Sequence, residues 1–286
     1  MIELKNVCFT YHEESTLKNV SFHIGKGEFV ALIGSNGAGK STLTKLMNGL
    51  LKPSSGTVTV MGMDTKKTKS SVLARHIGFL FQNPDRQICK NTVAEEIRFG
   101  LEQVLQDKTL IEQRVNSIIE QFGFDPSANP FQLSRGERQQ LALASVIAAE
   151  PEILVLDEPT TGLDYGECTK IMSFIQQLNN QGITVIMVCH DMEIVLDFAG
   201  RILVLSEGRL IADGDTRDIF RQEDTLKQAS VLPPQIAQLA LRLGSGFEKV
   251  FTAEEMAEAL AEKTRPQFFS REGRDSHERF SGLCAG

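Results

Sequence analysis

Gly34-Ser-Asn-Gly-Ala-Gly-Lys-Ser-Thr42 decides how this chain reads. Directly before it stands Glu28-Phe-Val-Ala-Leu-Ile33, a short continuous apolar run of the kind that forms a strand buried on both faces. Directly after it, Leu43, Leu46, Met47 and Leu50 recur at helical spacing. The turn between strand and helix matches the pattern G-x-x-x-x-G-K-[ST]. Its glycines let successive backbone N–H groups converge on an anion, and the helix beginning at Lys40 adds its positive end. Such a nest suits the phosphate chain of ATP, with Lys40 on the β- and γ-phosphates and the Ser41 hydroxyl on Mg²⁺. A chance glycine-rich turn would lack the flanking strand and helix.

Further along, Ile153-Leu-Val-Leu-Asp157-Glu158 delivers two carboxylates at the end of a second apolar strand. In open α/β sheets ligands sit at the C-terminal ends of the strands. Asp157 is therefore expected to hold Mg²⁺, directly or through water, and Glu158 to polarise a water attacking the γ-phosphate in line. Without the glycine-rich loop, the same pair would read as a solvated strand end.

The remaining pattern alternates strands and helices, which predicts an α/β domain with a largely parallel sheet. Residues 1–24 alternate apolar and polar positions (Ile2, Leu4, Val7, Phe9, then Val20, Phe22, Ile24), as expected of antiparallel strands joined by a turn near His12. Short strands are expected at 57–61, 76–81 and 183–188, and a closing hairpin around Glu207-Gly208. From Asn91 to about Phe122 the spacing predicts a helical insert, Ser134 opens a helix running to Ala149, and another covers about 167–180 with Gly182 beyond its end. After Phe220 the pattern weakens. Two amphipathic helices are predicted at 235–243 and 253–262 beyond Leu232-Pro-Pro234, and a polar, disordered tail from Thr264.

Composition narrows the function classes. The net charge is −7 over 286 residues, with no basic tract, so bulk nucleic-acid binding is not expected. Five cysteines in no metal-ligand spacing read as incidental thiols of a reducing compartment. No basic-then-apolar leader opens the chain. The longest apolar run, from Leu141 to Ala149 with Ser145 inside it, falls far short of the ~20 residues that span a bilayer, so a membrane role would come through a partner.

Leu133-Ser-Arg-Gly-Glu-Arg-Gln139 contains a capping box, Ser134 with Glu137, which by itself need only start a helix. Taken in order with the two sites above, it resembles the signature of the nucleotide-binding domain of ATP-binding-cassette (ABC) transporters, usually LSGGQ. The resemblance runs over residues 1–220, with a helical subdomain at about 83–150. It implies a P-loop NTPase fold with an N-terminal antiparallel β subdomain, a helical subdomain and a short C-terminal extension at 221–263. It also implies that Gly34, Ser35, Asn36, Gly37, Ala38, Gly39, Lys40, Ser41 and Thr42 hold ATP, and that Ser41, Gln82 and Asp157 hold Mg²⁺. Glu158, His190 and Gln82 fall at the family's catalytic positions. Tyr11 falls where an aromatic stacks on adenine, although a strand tyrosine by itself more often packs. Thr161-Gly-Leu-Asp164 looks like the dimer-contact loop. Ser134, Gly136 and Glu137 would meet the nucleotide of a second subunit. Arg135 replaces the first glycine of the signature and Glu137 its glutamine, which bears on turnover.

Phe81-Gln-Asn-Pro-Asp-Arg-Gln87 and Thr92-Val-Ala-Glu-Glu-Ile-Arg-Phe-Gly100 narrow the resemblance to the ATPases of energy-coupling factor (ECF) transporters, which serve vitamin and transition-metal uptake. That implies a place on the cytoplasmic face of the membrane. The implied partners are a second ATPase subunit, either a copy or a related paralogue, a transmembrane coupling protein and a small substrate-binding membrane protein. The C-terminal extension would aid dimer contact. Residues 87–100 are the expected docking surface, with Asp85, Glu95 and Glu96 available to basic groups; a merely solvated acidic face fits them equally well. The alternatives are another ABC transporter subtype, a nucleotide-binding regulatory subunit, and a soluble ABC ATPase outside transport. The transported substrate would touch nothing in this chain.

Overall fold

A computed structural model of the chain describes residues 1–11 and 14–264. The elements run in chain order as β1 (Ile2–Tyr11), β2 (Glu14–Ile24), β3 (Phe29–Ile33), α1 (Lys40–Met47), β4 (Ser55–Val60), β5 (Met63–Asp64) and α2 (Ser70–Leu73). The middle of the chain gives β6 (Ile77–Leu80), α3 (Val93–Glu102), α4 (Lys108–Phe122), α5 (Arg135–Ile147), β7 (Ile153–Asp157) and α6 (Tyr165–Asn180). The last third gives β8 (Thr184–Val188), α7 (Met192–Phe198), β9 (Arg201–Ser206), β10 (Arg209–Asp215), α8 (Thr216–Phe220), α9 (Glu223–Gln228), α10 (Gln235–Leu243) and α11 (Ala253–Thr264).

Two sheets organise these elements. A six-stranded sheet has the order β10-β9-β3-β8-β7-β6; its β9, β3, β8, β7 and β6 run parallel, and β10 closes it as an antiparallel edge. A four-stranded antiparallel sheet has the order β2-β1-β4-β5. All five residues of β3 are buried, as a strand covered on both faces requires. The two-residue period then divides it between two cores. Phe29, Ala31 and Ile33 pack with α3 to α7, through Ile97, Leu141, Ile175 and Val195 among others. Val30 and Leu32 pack with α1 and the four-stranded sheet, through Leu43, Leu46, Ile2, Leu4 and Val58. The largely parallel sheet and the antiparallel N-terminal strands are thus as expected.

The helical stretch expected from Asn91 to Phe122 is two helices. Asp107 accepts the N–H groups of Thr109 and Leu110 and starts α4 afresh, while the chain turns between residues 103 and 107. Arg98 and Glu112 then tie the pair with a two-pronged ion pair, at 2.6 and 2.9 Å. Helix α6 begins two residues earlier than expected, at Tyr165, because Asp164 and Glu167 cap each other. Leu50, placed on the apolar face of α1, lies beyond its end and is exposed. Short helices α2, α8 and α9 were not expected. Both C-terminal helices are present, the second extended to Thr264, and the tail expected to be disordered lies outside the described residues. None of the described helices is long and apolar enough to cross a membrane.

The described thiols differ in chemistry. Burial pushes Cys189 up to about 12. Cys8 is lowered by bonds from the Ser55 side chain and the Asn19 N–H. The thiolate is the reactive form, so at pH 8 a thiol of pKa 12 is ionised in only about one molecule in ten thousand. Iodoacetamide followed by peptide mass mapping should therefore label Cys8 readily and Cys189 only in denaturant. Labelling of Cys189 in the native protein would contradict its place in the core.

Candidate functional site

The glycine-rich loop turns at the C-terminal end of β3. Gly34 has φ +145°, and a Cβ there would stand 2.1 Å from the carbonyl oxygen of Leu205 on β9. Gly39 has φ +102°, and its Cβ would meet a Leu17 methyl at 2.6 Å. No side chain fits either position, so the loop closes against two neighbouring strands. Asn36 and Gly37, at its tip, face solvent.

Lys40 is 7% exposed and folds back over the loop, its Nζ donating to the carbonyls of Gly34 (2.7 Å) and Ser35 (2.9 Å). Burial lowers its pKa, while the carboxylates of Glu158 and Asp157 oppose that shift. Asp157 is raised, first by its own burial and then by Glu158, with Lys40 pulling it back. The buried Lys40 ammonium at the start of α1 thus faces two half-buried carboxylates at the end of β7. A cleft of about 210 Å³ joins Gly37, Lys40, Ser41, Thr42, Glu158 and His190. Thr16 of β2 also lines it, a contribution from the antiparallel sheet that no local pattern signalled.

Glu158 is the junction of the site. It follows β7 with a left-handed backbone, φ +50°, and its N–H is held by the Val188 carbonyl at 2.9 Å. Its carboxylate accepts Gln82 Nε2 at 2.5 Å and Thr161 Oγ1 at 2.9 Å, and lies 3.0 Å from His190 Nε2. The structure thus brings together Gln82, Glu158 and His190 from three separate strand ends. Thr161, which the sequence pattern places only in a contact loop, adds its hydroxyl as a further partner of Glu158. On their other side Glu158 and His190 wall a cavity of about 550 Å³ that Pro233 and Pro234 close. There the N–H of Gln235 donates to Glu193 of α7 at 2.7 Å.

The other expected residues lie elsewhere. Tyr11, Ser134, Gly136, Glu137 and Asp164 do not line the cleft. Tyr11 is exposed and meets Phe9 edge-on, with ring centroids 4.7 Å apart. Ser134 and Glu137 form the capping box of α5, the serine Oγ accepting the Glu137 N–H at 3.2 Å and Glu137 Oε2 accepting the Ser134 N–H at 2.7 Å. Asp164 and Glu167 do the same for α6. The expected docking face needs correction at two positions. Glu96 is buried and accepts the N–H groups of Cys89 (2.9 Å) and Lys90 (2.8 Å), so it is closed to a partner. Asp85 is paired with Arg138 at 2.8 Å, and Glu95 remains exposed. Gln87 braces the loop after Gln82, accepting from the Phe81 N–H and donating to the Ala142 carbonyl.

The starts of α5 and α6 abut. A methyl at Gly136 would stand 1.9 Å from Glu167 Oε1. Gly136→Ala is therefore expected to dislodge the carboxylate that caps α6, at about 1 kcal/mol. Calorimetry should show a Tm lower by about 2–4 °C. In a Glu167→Ala background the same substitution should add little; an equal further loss would place the clash elsewhere.

A phosphate-binding loop on a parallel strand, with a carboxylate pair at the end of a second, defines a P-loop nucleotide-binding domain. The family described as ABC transporter matches residues 17–161, and the chain belongs to it. The energy-coupling factor transporter ATP-binding protein EcfA of Methanothermobacter thermautotrophicus is 40% identical over 254 residues, covering 87% of this chain and 82% of that protein. Among solved structures, cbiO1 of Clostridium perfringens, part of the ABC transporter complex cbiONQ, aligns with a TM-score of 0.72 at 31% identity, over 83% of this chain and 97% of that one. A dimeric ATP-binding cassette in a post-hydrolysis state with ADP and Pi aligns with a TM-score of 0.67 at 30% identity, over 76% and 99%. Relatives from Caldanaerobacter subterraneus and Methanosarcina mazei, 41% and 46% identical over 87% and 84% of this chain, are much longer: the chain spans 44% and 41% of their lengths.

Proposed function

We propose that this chain is the ATP-hydrolysing motor subunit of an ECF-type ABC importer for a vitamin or a transition-metal ion. The observation that carries the enzymatic part is the Glu158 carboxylate, set at the rim of the phosphate-loop cleft and held by Gln82, Thr161 and His190. The loop from Gly34 to Thr42 would bind the triphosphate through its amides, with Lys40 exchanging its two carbonyl partners for phosphate oxygens. Hydroxyl, amide and carboxylate oxygens at Ser41, Gln82 and Asp157 form a hard donor set that suits Mg²⁺, which supplies neutralisation of phosphate charge when bound. The raised pKa of Asp157 fits that role, since a partly desolvated carboxylate beside Glu158 gains from a further cation.

Glu158 then takes the proton of a water directed at the γ-phosphate, while His190 and Gln82 fix the orientation of its carboxylate. Two chains face head to tail, either identical or paralogous, because Ser134 lies outside the cleft of its own chain. ATP favours the closed pair and hydrolysis releases it. Membrane partners, a coupling protein and a small substrate-binding protein, take up that motion at residues 87–100, where Glu95 is exposed. The likeness to EcfA and to cbiO1 supports the ECF assignment. Phosphate release from ATP by the purified chain, present with Mg²⁺ and abolished by EDTA, tests the enzymatic reading. Isolation of the chain from detergent-solubilised membranes, with the two membrane proteins identified by mass spectrometry, tests the transporter type.

A further inference from the structure

Position 135 departs from the family pattern, with an arginine where a glycine is usual, and the structure shows where its side chain goes. Arg135 Nη2 donates to the carbonyl oxygen of Thr161 at 2.9 Å. The guanidinium lies across Gly162: a Cβ built there would stand 2.7 Å from Arg135 Cζ and 2.9 Å from Nε. Gly162 itself has φ +75°, a left-handed turn that leaves one face of the loop bare for the planar group. One residue later, Gly136 abuts Glu167 at the start of α6. The first turn of α5 therefore meets this stretch at two places, the middle of the loop between Glu158 and α6 and the first turn of α6 itself.

The same threonine carries the other half of the connection. Its carbonyl receives Arg135, and its hydroxyl donates to Glu158 Oε2 at 2.9 Å. Only Thr161 separates a side chain at the start of the signature-like helix from the carboxylate at the cleft. We propose that Arg135 is a positioning residue, which fixes the loop at Thr161 and through it the orientation of the Glu158 carboxylate. The proposal rests on the hydrolytic role given to Glu158 above. It also accounts for the tolerance of an arginine at this position: the charge is turned onto a carbonyl of its own chain and hydrogen-bonded there.

Four variants test it, in steady-state ATP hydrolysis and in hydrogen exchange of the nucleotide-free protein. Arg135→Gly removes the tie, Arg135→Lys keeps one donor, Thr161→Val removes the hydroxyl at similar volume, and the fourth combines Arg135→Gly with Thr161→Val. A single positioning hydrogen bond is worth about five- to tenfold in rate. Arg135→Gly should therefore lower kcat by about that factor with KM for ATP within about twofold, and Arg135→Lys should recover part of the loss. The double variant should be no slower than Thr161→Val alone, because both act along one path. In exchange, Arg135→Gly should speed the Leu163 amide, which bonds the Thr160 carbonyl at 3.2 Å, without changing the amides of β7. Unchanged kcat and unchanged exchange would overturn the proposal. So would losses that multiply in the double variant, or a raised KM at constant kcat, which would mean that Arg135 binds nucleotide directly. If the wild-type protein releases no phosphate, the hydrolytic reading fails, and the exchange arm still decides the tie between Arg135 and the loop.

Discussion

Lys40→Ala is expected to weaken ATP binding by at least about a hundredfold, because two charge-assisted hydrogen bonds at about 1.5–3 kcal/mol each are lost and every 1.4 kcal/mol is tenfold. Lys40 is the only lysine or arginine among the residues that line the cleft, and the carboxylates of Glu158 and Asp157 act on it. Removing it leaves Asp157 and Glu158 to face the triphosphate with less compensation, so the loss exceeds that of a single contact. Equilibrium binding of labelled ATP in the presence of Mg²⁺ measures it. The fold should survive: α1 is anchored by Leu43, Leu46 and Met47, all fully buried. Retention of ATP at wild-type affinity by a folded Lys40→Ala protein would dismiss the glycine-rich loop as the nucleotide site.

Glu158→Gln should lower hydrolysis by about 10²–10⁴-fold, the range of a general base. Binding should persist, since Glu158 is not one of the groups assigned to the phosphates. Three groups converge on its two carboxylate oxygens. Gln82 and Thr161 share Oε2 while His190 meets Oε1, so an amide with its oxygen at the Oε2 place keeps the first two donors and turns its NH₂ toward His190 Nε2; the geometry is retained and the proton acceptor is lost. With hydrolysis stalled, the ATP-favoured closed pair should accumulate. Light scattering coupled to size-exclusion chromatography should then show a dimer with ATP and Mg²⁺ and less of it without nucleotide. Undiminished phosphate release would remove Glu158 from the chemistry.

The parts of the site that lie on one short stretch of chain were legible in the sequence. Strand, glycine-rich turn and helix at residues 28–47 are contiguous, and each element has its own local signal. Asp157-Glu158 and the capping box of Ser134 and Glu137 are equally local. Contacts made by tertiary packing were not. Nothing near Glu96 in the sequence announces that it closes a turn at Cys89 and Lys90 instead of facing a partner, because an acidic residue on a predicted helix looks solvated until the loop folds back on it. The contact of Arg135 with Thr161 spans 26 positions and depends on α5 and α6 starting side by side. The strand order β10-β9-β3-β8-β7-β6 likewise reflects long crossovers, which hydrophobic spacing cannot rank. The split of α3 from α4 had a local sign in Asp107, a helix-starting residue inside a periodic run.

The backbone at position 158 has a wider consequence. A left-handed conformation suits glycine or asparagine, and a glutamate held there carries on the order of 1 kcal/mol of strain in the resting protein. The chemistry proposed for Glu158 and its conformational preference therefore pull this position in opposite directions. A descendant that gave up hydrolysis would feel only the second pull, and drift toward glycine or asparagine there would be a mark of retired catalysis, readable without any assay.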